Sequence, residues 1–465
     1  MYLEEASLKL LKNSLAELDS GFENLPAFTN NCAQDPRLAE VMSEVASKLR
    51  DNYPYFHPLY AGQMLKPPHP IARAAYALAM WINPNNHALD GGRASSAMEK
   101  EAVAQIAEMF GWKEHLGHLC GGGTMANLEA LWVAGQLRPG KKIAASDQAH
   151  YTHRRISGVL QLPFAEVPAD NRGRMDTEAL EKLLEAGEVG CVVATLGTTG
   201  TGAVDPLAEI LRLRERYGIR VHVDSAYGGY FALASNTSAE TRASFDLIGR
   251  ADSIVIDPHK HGLQPYGCGC VLFRDPGVGV IYKHESPYTY FTSSDLHLGE
   301  ISLECSRPGA SAVALWATQR LLPLARGGEF AGMLESSRDA AIQFSERLAT
   351  DDRWIVPFAP ELDIVVWASR SSSASRISEM SQGIFDAAAK ENLHLALIRL
   401  SARFFASQKN AIEFDGDTIL CLRSVLMKPE HRDWLDRICA ILNRVGDEVR
   451  ARQAAGYIGP GGGSA

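Results

Sequence analysis

The sequence has no long hydrophobic run. Its nearest approach, Ala74 to Ile82, falls far short of the roughly 20 apolar residues a helical membrane span requires. No basic stretch is present either: 46 Lys and Arg face 55 Asp and Glu, for a formal net charge of -9. That balance argues against a general nucleic-acid binder, which needs clustered cations to neutralise phosphates. It does not exclude acidic small molecules, because a site can be locally positive. The chain opens Met-Tyr-Leu-Glu-Glu, acidic where a secretory leader is basic, so a cytoplasmic location is expected. A disulfide framework is also missing, since the eight cysteines are scattered through apolar segments and fit reduced, buried thiols. Cys268 and Cys270 lack a second ligand pair, and no metal site is expected. There is no internal repeat and no long low-complexity segment.

What is present is an ordinary globular composition, 46% hydrophobic and 22% charged, in 465 residues. That length is too great for one core and implies two or three domains sharing a cleft. Residues 1–80 alternate amphipathic helix patterns with the extended stretch Lys66-Pro-Pro-His-Pro70 and have no core of their own, as expected of an arm that lies on a second subunit. In 81–323, a helix ending near Gly111 leads into short apolar runs at Lys142 to Ser146, Cys191 to Leu196, Arg220 to Asp224, Ser253 to Asp257 and Cys268 to Phe273. Helical stretches such as Asp176 to Leu184 and Pro206 to Tyr217 separate several of them. This alternation predicts an α/β domain built on a mostly parallel sheet covered on both faces. Residues 324–458 read as a smaller α+β domain, and 459–465 as a flexible tail, either a linker or an expression scar.

Two segments carry the clearest chemistry. His222-Val223-Asp224-Ser225-Ala226-Tyr227 and Asp257-Pro258-His259-Lys260 each set an ionisable side chain at the end of an apolar run. A lysine amine to form a Schiff base and a carboxylate to keep a pyridinium nitrogen protonated are the two groups that pyridoxal 5′-phosphate (PLP) takes from a protein. Lys260 is the candidate amine and Asp224 the candidate carboxylate; the plainer reading of Asp224 is an N-cap for the segment after it, where Gly228-Gly229 marks a turn. Cys120-Gly-Gly-Gly123-Thr124-Met-Ala-Asn127 opens a helix whose first N–H groups, with the Thr124 hydroxyl, suit a phosphate. His150, just past a strand, either lies flat on a cofactor ring or caps the next helix, and His153 one turn on reads as structural. Thr195-Leu-Gly-Thr198-Thr-Gly-Thr-Gly202 adds hydroxyls at the same sheet edge, a common turn composition without any function.

The segments beginning at Gly122, His150, His222 and Asp257 resemble, in order and spacing, the group II PLP-dependent amino-acid decarboxylases over about residues 50 to 325. Trp81-Ile-Asn-Pro-Asn-Asn86, Gly117 to Asn127 and Leu303-Glu-Cys-Ser-Arg307 running into Ala317 are most similar to the bacterial and archaeal tyrosine decarboxylase branch. The resemblance implies an aspartate-aminotransferase-like fold (fold type I) and a homodimer with shared sites. It implies that Lys260 bonds PLP, Asp224 meets the ring nitrogen, and His150 and Ala226 cover the two ring faces. Gly123, Thr124 and His259 fall at phosphate-contact positions and Thr198 near the ring substituents. Arg307 falls where several members hold the substrate carboxylate, Tyr266 at a position seen in tyrosine decarboxylases, and Asn86 could border the substrate side chain.

By the same resemblance, His284 to Phe291 is the catalytic loop and Tyr288 the acid that protonates Cα, with Tyr290 as its alternate. The expected reaction is decarboxylation of an L-amino acid, aromatic by resemblance. Glu-Cys-Ser-Arg307 departs from the Glu-Gly-Ser-Lys of the resembling tyrosine decarboxylases, so acidic and diamino acids stay open. Two other classes remain beside it: a PLP-dependent carbon–carbon lyase, and a non-catalytic scaffold, against which the retention of Lys260, Asp224, His150 and Tyr288 together argues.

Overall fold

Apolar runs flanked by turn residues become the strands of two sheets. A computed structural model describes residues 5–26, 35–283, 297–408 and 411–454. The larger sheet contains β1 (Leu116–Cys120), β2 (Lys142–Ser146), β3 (Phe164–Val167), β4 (Val189–Thr195), β5 (Arg220–Asp224), β6 (Ser253–Ile256) and β7 (Gly269–Phe273). Their order is β1-β7-β6-β5-β4-β2-β3. The pairs from β3 through β6 are parallel, while β7 runs antiparallel to both β6 and β1. Every residue of β4, β6 and β7 is buried, as a sheet covered on both faces requires. The expected mostly parallel α/β sheet is therefore observed.

Helices Thr152–Val159, Thr177–Glu185, Leu207–Tyr217 and Ala239–Asp246 make the crossovers between successive parallel strands. The link from β6 to β7 is different. Because β7 runs back beside β6, no crossover helix is needed, and residues 257–268 stay at the sheet edge where β6 ends. Lys260 lies in that link. The ends of β1, β2, β4 and β5 lead to the same edge, the usual ligand position of α/β sheets.

The smaller sheet, β8 (Trp354–Ile355), β9 (Ile364–Ser369), β10 (Ala396–Ser401) and β11 (Thr418–Val425), is antiparallel in the order β10-β11-β9-β8. Helices Glu329–Ala349, Ala374–Lys390 and His431–Ala454 accompany it. Its core centres on Trp354 and Trp367, whose rings meet edge to face with centroids 5.1 Å apart.

The N-terminal segment has no core of its own: helices Glu5–Ser20 and Arg37–Leu49 contain no buried residue. In the second of these, Leu38, Val41, Met42, Val45 and Leu49 form an apolar stripe at helical spacing, all exposed. Among the described residues no helix is long and apolar enough to cross a membrane.

Candidate active site

A cavity of about 550 Å³ opens at the strand-end edge of the large sheet. Lys260 reaches it from a tightly wound turn in which Lys260 N–H donates to the Asp257 carbonyl (2.9 Å) and Gln264 N–H to that of Pro258 (3.1 Å). Gly262 permits the winding, since a Cβ there would lie 2.6 Å from Pro258 Cα. Lys260 Nζ stands 3.1 Å from Asp257 Oδ2. Asp257 itself is 2% exposed, and its Oδ1 has no hydrogen-bond partner among the described residues. This amine is thus held at the cavity by a carboxylate it can leave.

Asp224 ends β5 on the same cavity, and its carboxylate is bound from several sides. Oδ2 accepts from His153 Nε2 (2.8 Å) and Asn127 Nδ2 (3.3 Å), and Oδ1 accepts from Ala226 N–H (3.1 Å). Burial alone would raise its pKa. The His153 hydrogen bond and the nearby charges of His153 and Lys260 outweigh burial and hold it well below the ordinary carboxylate range. Asn127 turns its Oδ1 to His222 Nε2 (2.8 Å), and His222 Nδ1 meets Ser253 Oγ (2.8 Å). The chain of donors fixes the tautomers: Asn127 donates to Asp224, so His222 Nε2 carries the hydrogen and its Nδ1 accepts from Ser253. Burial pushes His222 down to about 3, so that ring is neutral. His153 Nδ1 has no partner among the described residues, and the ring's Nε2–H faces the Asp224 carboxylate.

The glycine-rich turn forms the opposite wall. Gly122, at φ 145°, lets helix Gly123–Leu137 start against the lysine turn, and a Cβ on Gly123 would sit 2.7 Å from Asp257 Oδ2. The first-turn N–H groups of a helix lack partners within it, so this end suits an anion. Thr124 lines the cavity beside them. His259 donates from Nδ1 to the Cys268 carbonyl (2.8 Å), and burial lowers its pKa, opposed by the charge of Asp257.

His150 lines the cavity, and its Nδ1 also accepts from Thr152 N–H (3.3 Å), so the ring caps the following helix while facing the site. Burial lowers its pKa against the attraction of Asp224. Ala226 lines the cavity as well. Tyr266 stands at its rim, its hydroxyl donating to the Met64 carbonyl (3.0 Å) and its ring 4.7 Å from that of His259.

Three expected residues are not brought to the cavity. The Thr198 hydroxyl is turned into its own loop, 2.8 Å from Thr201 Oγ1, and Thr195 and Thr199 line the site in its place. Asn86 is fully buried, donating to Glu99 Oε2 (2.6 Å) and accepting from Ser95. Arg307 is buried against the same carboxylate, with Nη1 2.9 Å from Glu99 Oε1 and a second bond to the Leu119 carbonyl. A guanidinium committed to a buried ion pair is not free to hold a substrate carboxylate. Tyr288 and Tyr290 lie outside the described residues.

His153, Asn127 and Asp257 emerge only from the structure. The sequence reads His153 as structural, yet it is the nearest partner of Asp224. The one signal in the sequence is its place at the start of the helix that follows His150 at the strand-end edge, Thr152–Val159. Glu304 also lines the cavity, its Oε2 accepting from Gly121 N–H (3.1 Å).

An amine, a stabilised carboxylate, a glycine cradle at a helix start and a ring on the wall meet in one cavity, and this donor set fits PLP. Residues 139–370 match the model of the pyridoxal-dependent decarboxylase conserved domain. A "Probable L-tyrosine/L-aspartate decarboxylase" of Methanospirillum hungatei is 30% identical over 285 residues, covering 61% of this chain and 73% of that protein. The L-tyrosine decarboxylase of Enterococcus faecium is 28% identical over 462 residues, covering 75% of each. The crystal structure of mouse CSAD in apo form superposes with a TM-score of 0.76 at 21% identity, over 93% of this chain and 92% of that one, so the fold is the expected fold type I. The chain belongs to the pyridoxal-dependent decarboxylase family.

Proposed function

We propose that this enzyme, a PLP-dependent amino-acid decarboxylase, acts on L-tyrosine or a close aromatic amino acid and releases carbon dioxide and the corresponding amine. The observation that carries the reading is the convergence of Lys260 Nζ and the Asp224 carboxylate on one cavity beside the start of helix Gly123–Leu137. Bound there, PLP supplies the protonated ring that takes up the electrons left when carbon dioxide departs from Cα.

The chain's residues do the rest. Lys260 attaches the cofactor, and Asp224 keeps a proton on the ring nitrogen. Gly123, Thr124 and His259 meet the phosphate, and His150 and Ala226 hold the ring between them. Tyr288 delivers a proton to Cα, a role that rests on the family resemblance.

The cavity lining favours a neutral side chain on the substrate. Among the described residues it contains no arginine, while Asp224, Asp257 and Glu304 contribute carboxylates. Tyr266 offers a phenolic neighbour at the rim. The names of the two relatives support tyrosine, and one of them adds aspartate. Screening tyrosine, dopa, glutamate, aspartate and diaminobutyrate for carbon dioxide release decides the point. Turnover of the aromatic substrates is expected, and a preference for aspartate or glutamate contradicts the substrate assignment.

The same proposal includes a homodimer, supported by the uncovered stripe from Leu38 to Leu49, and a cytoplasmic location, supported by the absence of any disulfide among the described cysteines. It also divides the chain at 80, 323 and 458.

A further inference from the structure

Asp363 sits outside the cavity, immediately before β9 in the smaller sheet, and is fully buried. Its Oδ1 accepts a hydrogen bond from the Tyr227 hydroxyl at 2.6 Å. Its Oδ2 stands 3.2 Å from His261 Nε2, off the line of a well-formed hydrogen bond. Tyr227 lies three residues beyond Asp224, and His261 directly succeeds Lys260. The Tyr227 and His261 rings meet edge to face with centroids 4.7 Å apart, and Phe231 packs on His261 at 5.0 Å. Thus one carboxylate of the smaller sheet touches both turns that present the cavity's amine and its carboxylate.

Packing alone does not account for a carboxylate here. Replacing a buried ion pair with apolar side chains of similar volume is often neutral for stability, and one attested use of a retained buried charge is to specify an arrangement. The backbone of Asp363 is itself anchored, since Leu426 N–H donates to its carbonyl at 2.8 Å. The contact is therefore made from a fixed platform.

We infer that Asp363 is a positioning residue for the cofactor site: through Tyr227 and His261 it sets the turns of Asp224 and Lys260 relative to one another and ties both to the smaller sheet. The inference rests on the reading that Lys260 and Asp224 hold PLP. Two groups that must meet one ring at opposite ends tolerate little relative movement, because misplacement on the order of 1 Å costs up to about 10²-fold in rate.

The test compares the full chain with Asp363→Asn, Tyr227→Phe and the double variant. Three quantities are measured: the PLP dissociation constant from visible absorbance, kcat at saturating PLP, and the thermal midpoint without PLP. Each single variant is expected to weaken PLP binding and lower kcat by roughly tenfold or more. The double variant is expected to lose less than the sum of the single losses, because both remove the same charge-assisted hydroxyl–carboxylate bond. A lowered thermal midpoint with an unchanged PLP dissociation constant and kcat overturns the inference, and so does simple additivity. If Asp363→Asn fails to fold, Tyr227→Phe, which deletes a single oxygen, decides alone by the same two constants. Lys260→Ala separates the two claims. PLP binding that does not depend on Lys260 contradicts the site reading, whereas Lys260-dependent binding untouched by the Asp363 and Tyr227 variants overturns only the positioning role.

Discussion

His153 Nε2 lies 2.8 Å from Asp224 Oδ2, with both side chains buried. The carboxylate expected to meet the cofactor's ring nitrogen is thereby held from behind by an imidazole. That donor orients Asp224 and helps keep it ionised against the cost of burial. His153→Phe should therefore weaken PLP binding and turnover by about 10- to 100-fold, the range seen when an outer partner of a bound group is lost. His153→Gln, which keeps a donor, should recover most of the loss. PLP titration and steady-state kinetics on the two variants check this.

The ion pair of Arg307 with Glu99 is almost fully buried, with side chains 4% and 2% exposed. Removing one partner strands the other charge inside the protein. Arg307→Met should cost about 3–5 kcal/mol of stability, read from denaturant unfolding. A stable variant with a raised KM alone would return Arg307 to the substrate.

A buried lysine, Lys428, and a half-buried one, Lys66, set a pH dependence. Burial, partly offset by Asp363 and Glu430, lowers Lys66 to about 8, and burial together with the charge of Lys66 lowers Lys428 to about 7. The ordinary value is 10.5, so above pH 7 the unfolded chain binds more protons at these sites than the folded one, and stability rises with pH. The destabilisation is fully present below the folded values and is relieved as pH climbs through them. The expected rise from pH 7 to 9 is at most about 1.4 kcal/mol per pH unit for each lysine. Lys428→Met should flatten it, as denaturant midpoints across that range will show.

Much of this architecture is legible in the residues. Arg220 to Asp224 sets Val221 and Val223 ahead of a carboxylate, and it forms β5 with those bounds. Helices Thr177–Glu185 and Leu207–Tyr217 follow the expected periodicity. The strands that the pattern does not reveal are short or lie at sheet edges: β8 has two residues, and β3 and β10 are partly exposed, so neither shows a clean apolar run. Lys260 and Asp224 stand out because a charged group at the end of a buried run needs a reason. Asn86 and Arg307 are placed by resemblance alone, which carries position along the chain but not the partner a side chain finds, and both find Glu99. The Asp363 contact joins positions 136 apart, a distance at which spacing is silent.

Tyr288 is assigned its role by resemblance, and chemistry can test it directly. Tyr288→Phe should bind PLP and substrate and still release carbon dioxide, yet lose amine formation by about 10²–10⁴-fold, the contribution of a positioned acid. With dioxygen as oxidant, aldehyde, ammonia and hydrogen peroxide should appear in place of amine. Unchanged amine output from that variant would move the role to Tyr290.

The most direct measurement of the central claim is carbon dioxide release from L-tyrosine by PLP-loaded enzyme and by Lys260→Ala, with the visible absorbance of bound PLP recorded on both. The account predicts stoichiometric carbon dioxide and tyramine from the enzyme, and loss of both the absorbance band and turnover in the variant. An unchanged band and rate in Lys260→Ala would contradict it.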